Sequence, residues 1–258
     1  MARKQIGDSI GINIEREKQT IHIVDELYTE KNRVPFTLER IISQTINTSV
    51  RHPLHLGEKI EIYPSEGILS LRKYRVIINH LLGNLIGIEY VKTPGQKYET
   101  HGSYIQCLEG KISIILQKSS FNSTMFAYEA HDTYLVNLTK GFGFIIPPLF
   151  EYTIINTQLK DTVFVEVHHS DTNCQSVFEN HKGAAYYIIH KNSKREVVRN
   201  PYFKQCTPIR KINTTSLTQS IFTEPFSIPM LFQNIMGRND DRIKYLSGEK
   251  EFDLNTII

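Results

Sequence analysis

Cysteine is scarce in this chain. Its 258 residues include only Cys107, Cys174 and Cys206, widely separated. An odd, scattered set argues against a disulfide framework or a cysteine-based zinc site, so buried or inert thiols are expected. Long apolar runs are also missing. None approaches 18 residues, and no apolar segment follows the first charges. The expectation is a cytoplasmic protein, neither secreted nor membrane-bound. Charge of one sign is equally scarce: 30 Lys and Arg against 27 Asp and Glu leave +3, which offers no nucleic-acid footprint. Hydrophobic content of 40% is ordinary and gives no sign of disorder. Repeats and low-complexity tracts are lacking. The length is enough for one large domain with a real core, with or without extensions.

What is present is a series of short β-rich runs separated by glycine turns, densest between Pro94 and Asn156. Tyr104-Ile105-Gln106-Cys107-Leu108 leads to a turn at Glu109-Gly110-Lys111, and a second strand runs from Ile112 to Gln117. After a mostly polar loop, Lys118 to Thr124, come strands over Met125–Ala130, Tyr134–Leu138, Gly141–Ile146, Thr153–Ile155 and Val163–Val167. Upstream, Lys59–Tyr63, Ile68–Arg75 and Leu85–Val91 read as strands, and Val76–Leu82 is ambiguous between strand and helix. Downstream, Tyr186–Ile189 and Glu196–Val198 follow. Alternating runs at this spacing predict an antiparallel barrel of eight or more strands. Pro147-Pro148 belongs at a strand end, since proline donates no ladder hydrogen bond.

The ends read differently. Ile21, Val24, Leu27 and Tyr28 lie at helical spacing and predict a helix over Thr20–Asn32. A second helix is expected after Pro35, with Thr37 as N-cap and Leu38, Ile41, Ile42 and Thr45 on its buried face. That helix carries few basic residues, so the pair reads as a packing extension rather than a DNA-binding unit. His52 and His55, flanking Pro53, read as surface residues of a turn. Past Lys204 the chain turns Ser/Thr-rich, then Pro229–Met236 predicts a short helix with Phe252 and Leu254 beside it. The organisation expected is an extension over 1–57, a β-barrel over 58–203 and a C-terminal arm over 204–258.

Two blocks about thirty residues apart, Pro94 to Lys111 and Gly141 to Asn156, resemble the paired motifs of a cupin. The second, Gly141-Phe142-Gly143-Phe144-Ile145-Ile146-Pro147-Pro148 through Asn156-Thr157, is similar to that of the cupin-type glucose-6-phosphate isomerases. His168-His169-Ser170-Asp171 falls where that family has an aromatic-Pro-Ala-Asp turn, and Arg199-Asn200-Pro201-Tyr202 resembles its terminal segment. The resemblance runs from about Ile86 to Tyr202. It implies an all-β cupin jelly roll, here with helical extensions at both ends. It further implies aldose–ketose isomerisation of a sugar phosphate, and a homodimer that hides a sheet edge.

The resemblance also implies a metal site: His-x-His, a glutamate, and one histidine from the second motif. This chain departs from that set. Counting back from Gly110 puts Ser103 at the glutamate position, and Tyr152 stands at the second-motif histidine. No metal ligand is assigned; a divalent iron, manganese or zinc ion is expected only if the site has been rebuilt. Proton transfer between C1 and C2 needs a carboxylate base and help at the carbonyl. Glu99 and Glu151, with Tyr152, are therefore the nominated catalytic groups. Glu151 is expected to point to the opposite face from Tyr152. Thr100 and Gly102 match the family's Thr-x-Gly at the phosphate end, so Thr100, His101 and Gly102 are nominated for substrate binding. Cys174 and Ser176 replace groups that would orient substrate. His101 and Tyr152 are expected to face one cavity, and one of His168 and His169 must face inward by strand alternation. Three readings follow: a sugar-phosphate isomerase; a non-catalytic sugar-phosphate-binding or structural cupin; and a metal-free cupin acting on a nucleotide-linked sugar through His101 with Tyr152 or Tyr104.

Overall fold

The computed structural model describes residues 4–6, 12–17, 19–26, 28–64 and 74–213, together with Leu246 and Leu254. Period-two alternation fixes how its strands pack. In the strand Thr162–His169, Val163, Val165 and Val167 enter one apolar cluster and Phe164 enters another. In Lys111–Asn122, Ile112, Ile114 and Leu116 face one way and Ile115 the other. Strands apolar on both faces need cover on both faces, and the fold supplies it in layers.

Two sheets form the centre. Among the described residues, one runs in the order Gly143–Ile146, Ser103–Glu109, Thr162–His169, Tyr74–Leu81, His55–Pro64, Tyr28–Thr37. The other runs Cys174–Val177, Gly95–Tyr98, Glu151–Asn156, Lys111–Asn122, Ala127–Thr139, Phe203–Cys206, with Arg210–Asn213 also paired to Ala127–Thr139. All of these pairings are antiparallel except the last two strands, which run parallel to Ala127–Thr139. The chain steps from the first sheet to the second at Gly110, whose φ of +86° favours glycine; a Cβ there would also lie 2.7 Å from the Thr162 hydroxyl. Between the sheets lies the main core, including Ile105, Ile114, Leu116, Tyr134, Phe144 and Phe164.

The outer faces are covered by two smaller sheets. Lys4–Gln5, Ile14–Glu17 and Thr20–Ile23 form one. Its Ile6, Ile12, Ile14 and Ile21 pack on Ile60, Ile62, Val76 and Ile78 of the first central sheet. Arg16 ties it down, donating from Nε to Glu109 Oε2 at 2.8 Å and approaching Asp161 at 3.5 Å; Lys4 also pairs with Glu109. On the far side, Leu85–Ile86, Glu89–Tyr90, Tyr186–Lys191 and Lys194–Arg199 form the second cover. There Tyr90, Ala184 and Ile188 pack on Ile115, Leu135 and Ile155.

Several expectations change. Among the described residues the N-terminal extension is mostly strand, with two short 3₁₀ turns. The expected helix over Thr20–Asn32 is divided between the strands Thr20–Ile23 and Tyr28–Thr37. Ile21 and Tyr28 are buried as helical spacing suggested, but on separate strands whose ladders to Ile14–Glu17 and His55–Pro64 override local periodicity. The expected second helix is two short 3₁₀ turns, Leu38–Arg40 and Ile42–Gln44; the Thr37 side chain makes no cap bond, while Leu38 and Ile41 are buried. The ambiguous Val76–Leu82 is a strand. The expected loop after Lys118 is strand through Asn122, paired with Ala127–Thr139. Leu85–Val91 folds into a small hairpin at Gly87. Residues 65–73 and the expected helix Pro229–Met236 lie outside the described residues; Leu254 is buried in the main core. Among the described residues no helix is long and apolar enough to cross a membrane.

Candidate functional site

The interior polar cluster is built by four strands. Gln96 and Tyr98, two residues apart in Gly95–Tyr98, share the inward face. Gln96 stands opposite Tyr152 of Glu151–Asn156. From the facing sheet, Ser103 begins Ser103–Glu109, and Glu166 and His168 alternate inward from Thr162–His169. Gln96, Tyr98, Ser103 and Tyr152 converge on one atom, Glu166 Oε1. It accepts from the Tyr152 hydroxyl at 2.7 Å, Gln96 Nε2 at 2.9 Å, the Tyr98 hydroxyl at 3.0 Å and Ser103 Oγ at 3.3 Å. Gln96 Nε2 also lies 2.6 Å from the Tyr152 oxygen. His168 extends the chain: its ring stacks on Tyr98 with centroids 4.7 Å apart, and its Nδ1 lies 3.2 Å from the Tyr98 oxygen. With the Tyr98 proton given to Glu166, a proton on His168 Nδ1 is donated to Tyr98.

The electrostatics follow from burial. Burial and the nearby Glu166 charge push the Tyr98 and Tyr152 phenols well above their usual range, so both stay protonated and act as donors. Burial, with positive charge from Lys59 and Arg75, brings His168 down to about 4 despite Glu166, leaving a neutral imidazole at pH 7. Cys174 is exposed at the edge of the cluster, its Sγ 4.0 Å from Gln96 Oε1.

The nominated residues do not form one site. Tyr152 is in the interior, fully buried. Glu151 points to the opposite face, as alternation required, and accepts from Gln117 Nε2 at 3.0 Å and Ser119 Oγ at 2.6 Å. Glu99, at a bend after the strand ends at Tyr98, is held by Gln175. Thr100 is exposed, 3.3 Å from Thr172 Oγ1 and 2.8 Å from His101 Nδ1. His101 does not join Tyr152: its ring stacks on His169 at 4.3 Å, and His169 in turn meets Tyr74 of the outer core. Gly102 is buried just before Ser103. Of the adjacent histidines, His168 is the inward one. Sequence reasoning passed over Gln96, Tyr98 and Glu166. Two signals were available: the i, i+2 pair directly after Thr93-Pro94-Gly95, and a lone carboxylate inside the apolar run Val163-Phe164-Val165-Glu166-Val167.

Ser103 and Tyr152, at the positions where the resemblance puts two of the family's metal ligands, both donate into this cluster. The donor set does not fit a metal. Two phenols, an amide and a hydroxyl bring no charge to an ion, and all four already donate to Glu166; Glu166 and His168 are the cluster's one carboxylate and one imidazole. Among the described residues no three His, Cys, Asp or Glu side chains are close enough to share an ion.

Two facing antiparallel sheets, entered through paired motifs around a polar interior, define a cupin. The glucose-6-phosphate isomerase family model matches residues 57–204. That is more than half of the chain, and the chain belongs to this family as a divergent, cupin-type member. Similar solved structures include Peruvianin-I, a cysteine peptidase from Thevetia peruviana latex, at 17% identity and TM-score 0.29, covering 41% of this chain and 56% of that one. A point mutant of Bacillus subtilis oxalate decarboxylase OxdC matches at 14% and 0.33, covering 47% and 28%. The Schizosaccharomyces pombe Cnp3 cupin domain matches at 13% and 0.29, covering 48% and 68%. This chain thus spans little more than half of Peruvianin-I and under a third of oxalate decarboxylase. No curated protein matches the sequence significantly.

Proposed function

We propose that this protein is a binding member of the glucose-6-phosphate isomerase family that does not perform the isomerisation, and that its ligand is a sugar phosphate or a similar polyol phosphate. The observation that carries this reading is the engagement of Gln96, Tyr98, Ser103 and Tyr152 by a single oxygen of Glu166. Moving a proton between C1 and C2 needs a base with a lone pair aimed at substrate and an electrophile at the carbonyl. Here the interior carboxylate oxygen is surrounded by four protein donors, and those donors are spent on it. A phosphate-bearing ligand is what the family match suggests; Lys59 and Arg75 act at His168, where Glu166 and Glu61 offset them and Arg75 lies 3.8 Å from Glu61.

The test uses the full-length protein with glucose 6-phosphate and fructose 6-phosphate, each with and without added Fe(II), Mn(II) or Zn(II). Proton NMR is expected to show no interconversion under any condition. Saturation-transfer NMR is expected to show contact with the sugar phosphate, and little with the unphosphorylated sugar. Interconversion in the presence of metal would restore the family reaction. Interconversion without metal would instead make Glu166 a base, with the two tyrosines as acids. Either outcome overturns the proposal, as does the absence of phosphate-dependent binding.

A further inference from the structure

A concavity lies on the opposite face of the Lys111–Asn122, Ala127–Thr139 and Glu151–Asn156 sheet, away from the interior cluster. Its volume is about 280 Å³, at the small end of ligand pockets. Phe121, Tyr128 and Phe178 supply apolar wall, and Glu151, Glu179 and His181 supply the polar groups that matter. The segment that closes it is tightly held. Phe178 and Lys182 adopt left-handed backbone, with φ of +79° and +55°. Gly183 N–H donates to the Phe178 carbonyl at 2.8 Å, and Asn200 Nδ2 donates to the His181 carbonyl at 2.9 Å. Phe178 can pack there because residue 95 is glycine; a Cβ would come within 2.1 Å of the Phe178 ring. Left-handed non-glycine residues cost energy and persist where the surroundings fix them.

His181 is among the lining residues and is only 6% exposed. It sits among Tyr128, Phe203 and Phe178, with ring centroids 4.5, 4.7 and 5.6 Å away. Among the described residues neither ring nitrogen has a hydrogen-bond partner, and a buried polar group left unpaired is costly. Burial brings this imidazole down to about 4, so it is neutral at pH 7, and both of its ring nitrogens are closed off from the pocket.

The lining has an excess of acceptors. Glu151 takes hydrogen bonds from neutral Gln117 and Ser119, and Glu179 from Ser176 at 3.1 Å. Among the described residues neither carboxylate has a lysine or arginine within ion-pair distance. Two carboxylates without a counter-ion and the aromatic faces favour a donor-rich cation. The three polar groups are too far apart to share a metal ion, so the cation must have a body of its own. We infer that this pocket binds a small organic ammonium, its charge directed to Glu151 and Glu179 and its apolar part set against Tyr128 and Phe121.

The probes are 2-phenylethylamine and putrescine, with 2-phenylethanol as the uncharged control, titrated into the full-length ¹⁵N-labelled protein at pH 7.5. Saturable shifts confined to residues 119–121, 151 and 176–181 are expected with at least one amine, and none with the alcohol. Glu179 is exposed, so Glu179→Gln leaves folding intact; it is expected to weaken amine binding about tenfold or more. Glu151→Gln should do the same, with its spectrum confirming the fold. No saturable amine binding, equal binding of amine and alcohol, or unchanged affinity in Glu179→Gln would overturn the inference.

Discussion

Glu166 is one carboxylate within a strand of valines and phenylalanine, and it dictates what its neighbours can be. Any group replacing Gln96, Tyr98 or Tyr152 must still donate to it or leave a buried acceptor short. Tyr152→Phe removes the 2.7 Å bond and the acceptor 2.6 Å from Gln96. The expected cost is about 1–2 kcal/mol in urea unfolding. Glu166→Ala removes the acceptor that four donors share, and about 3 kcal/mol or more is expected. Because the two residues share one bond, the double variant should cost less than the sum of the singles; simple additivity would show that the network is not coupled. At this scale the sequence was half legible. Ser103 and Tyr152 could be placed by counting from Gly110 and Asn156, because turn and strand spacing are rigid. Gln96 and Tyr98 could not, because a search for imidazoles settles on His101, which lies past the end of the strand. Glu166 was hidden because a buried carboxylate is recognisable only once its donors, which arrive from three other strands, are in place.

Strands were more legible than helices, for a physical reason. The runs Ile112–Gln117, Thr153–Ile155 and Val163–Val167 carry alternation or continuous β-branched character that no helix would bury as well. Thr20–Asn32 carries a helical repeat only by coincidence of two short strands, and its pairing depends on residues elsewhere in the chain. Those N-terminal strands are held through ionisable groups, and that gives a pH dependence. Burial would raise the Glu109 carboxyl, but bonds from Lys4 and Arg16 outweigh it and hold it below its usual 4.5. Burial would raise the Asp161 carboxyl too, but His80 and the Gly83 N–H outweigh it and hold it below 3.8. Stabilisation from these groups is complete above those values and lost as pH falls through the lower folded ones. His168 and His181 act earlier. Each is at about 4 in the fold against 6.5 unfolded, so the unfolded chain takes up protons first. Their contribution is complete above pH 6.5 and declines from there to about 4. The urea midpoint should therefore be level from pH 8 to 6.5 and fall between 6.5 and 4. His181→Phe, which keeps an aromatic ring in its box, should shallow that fall; an unchanged slope would show that His181 does not titrate on unfolding.

The whole molecule is thicker than the family match. Residues 57–204 contain the polar interior and most of both central sheets, yet they omit the strand Tyr28–Thr37, the cover carrying Ile6, Ile12, Ile14 and Ile21, and the strand Arg210–Asn213. A fragment cut at those limits would present Ile60, Ile62, Val76, Ile78, Val163, Val165 and Val167 to water as one continuous β surface, beside an open strand edge at His55–Pro64. Surfaces of that kind associate. Expressed alone, 57–204 is expected in the insoluble fraction or as ANS-binding aggregates in size-exclusion chromatography, whereas the full chain elutes as a discrete species. A soluble, cooperatively melting 57–204 fragment would refute this. The span by which the family is recognised is therefore narrower than the span that keeps its own apolar faces dry.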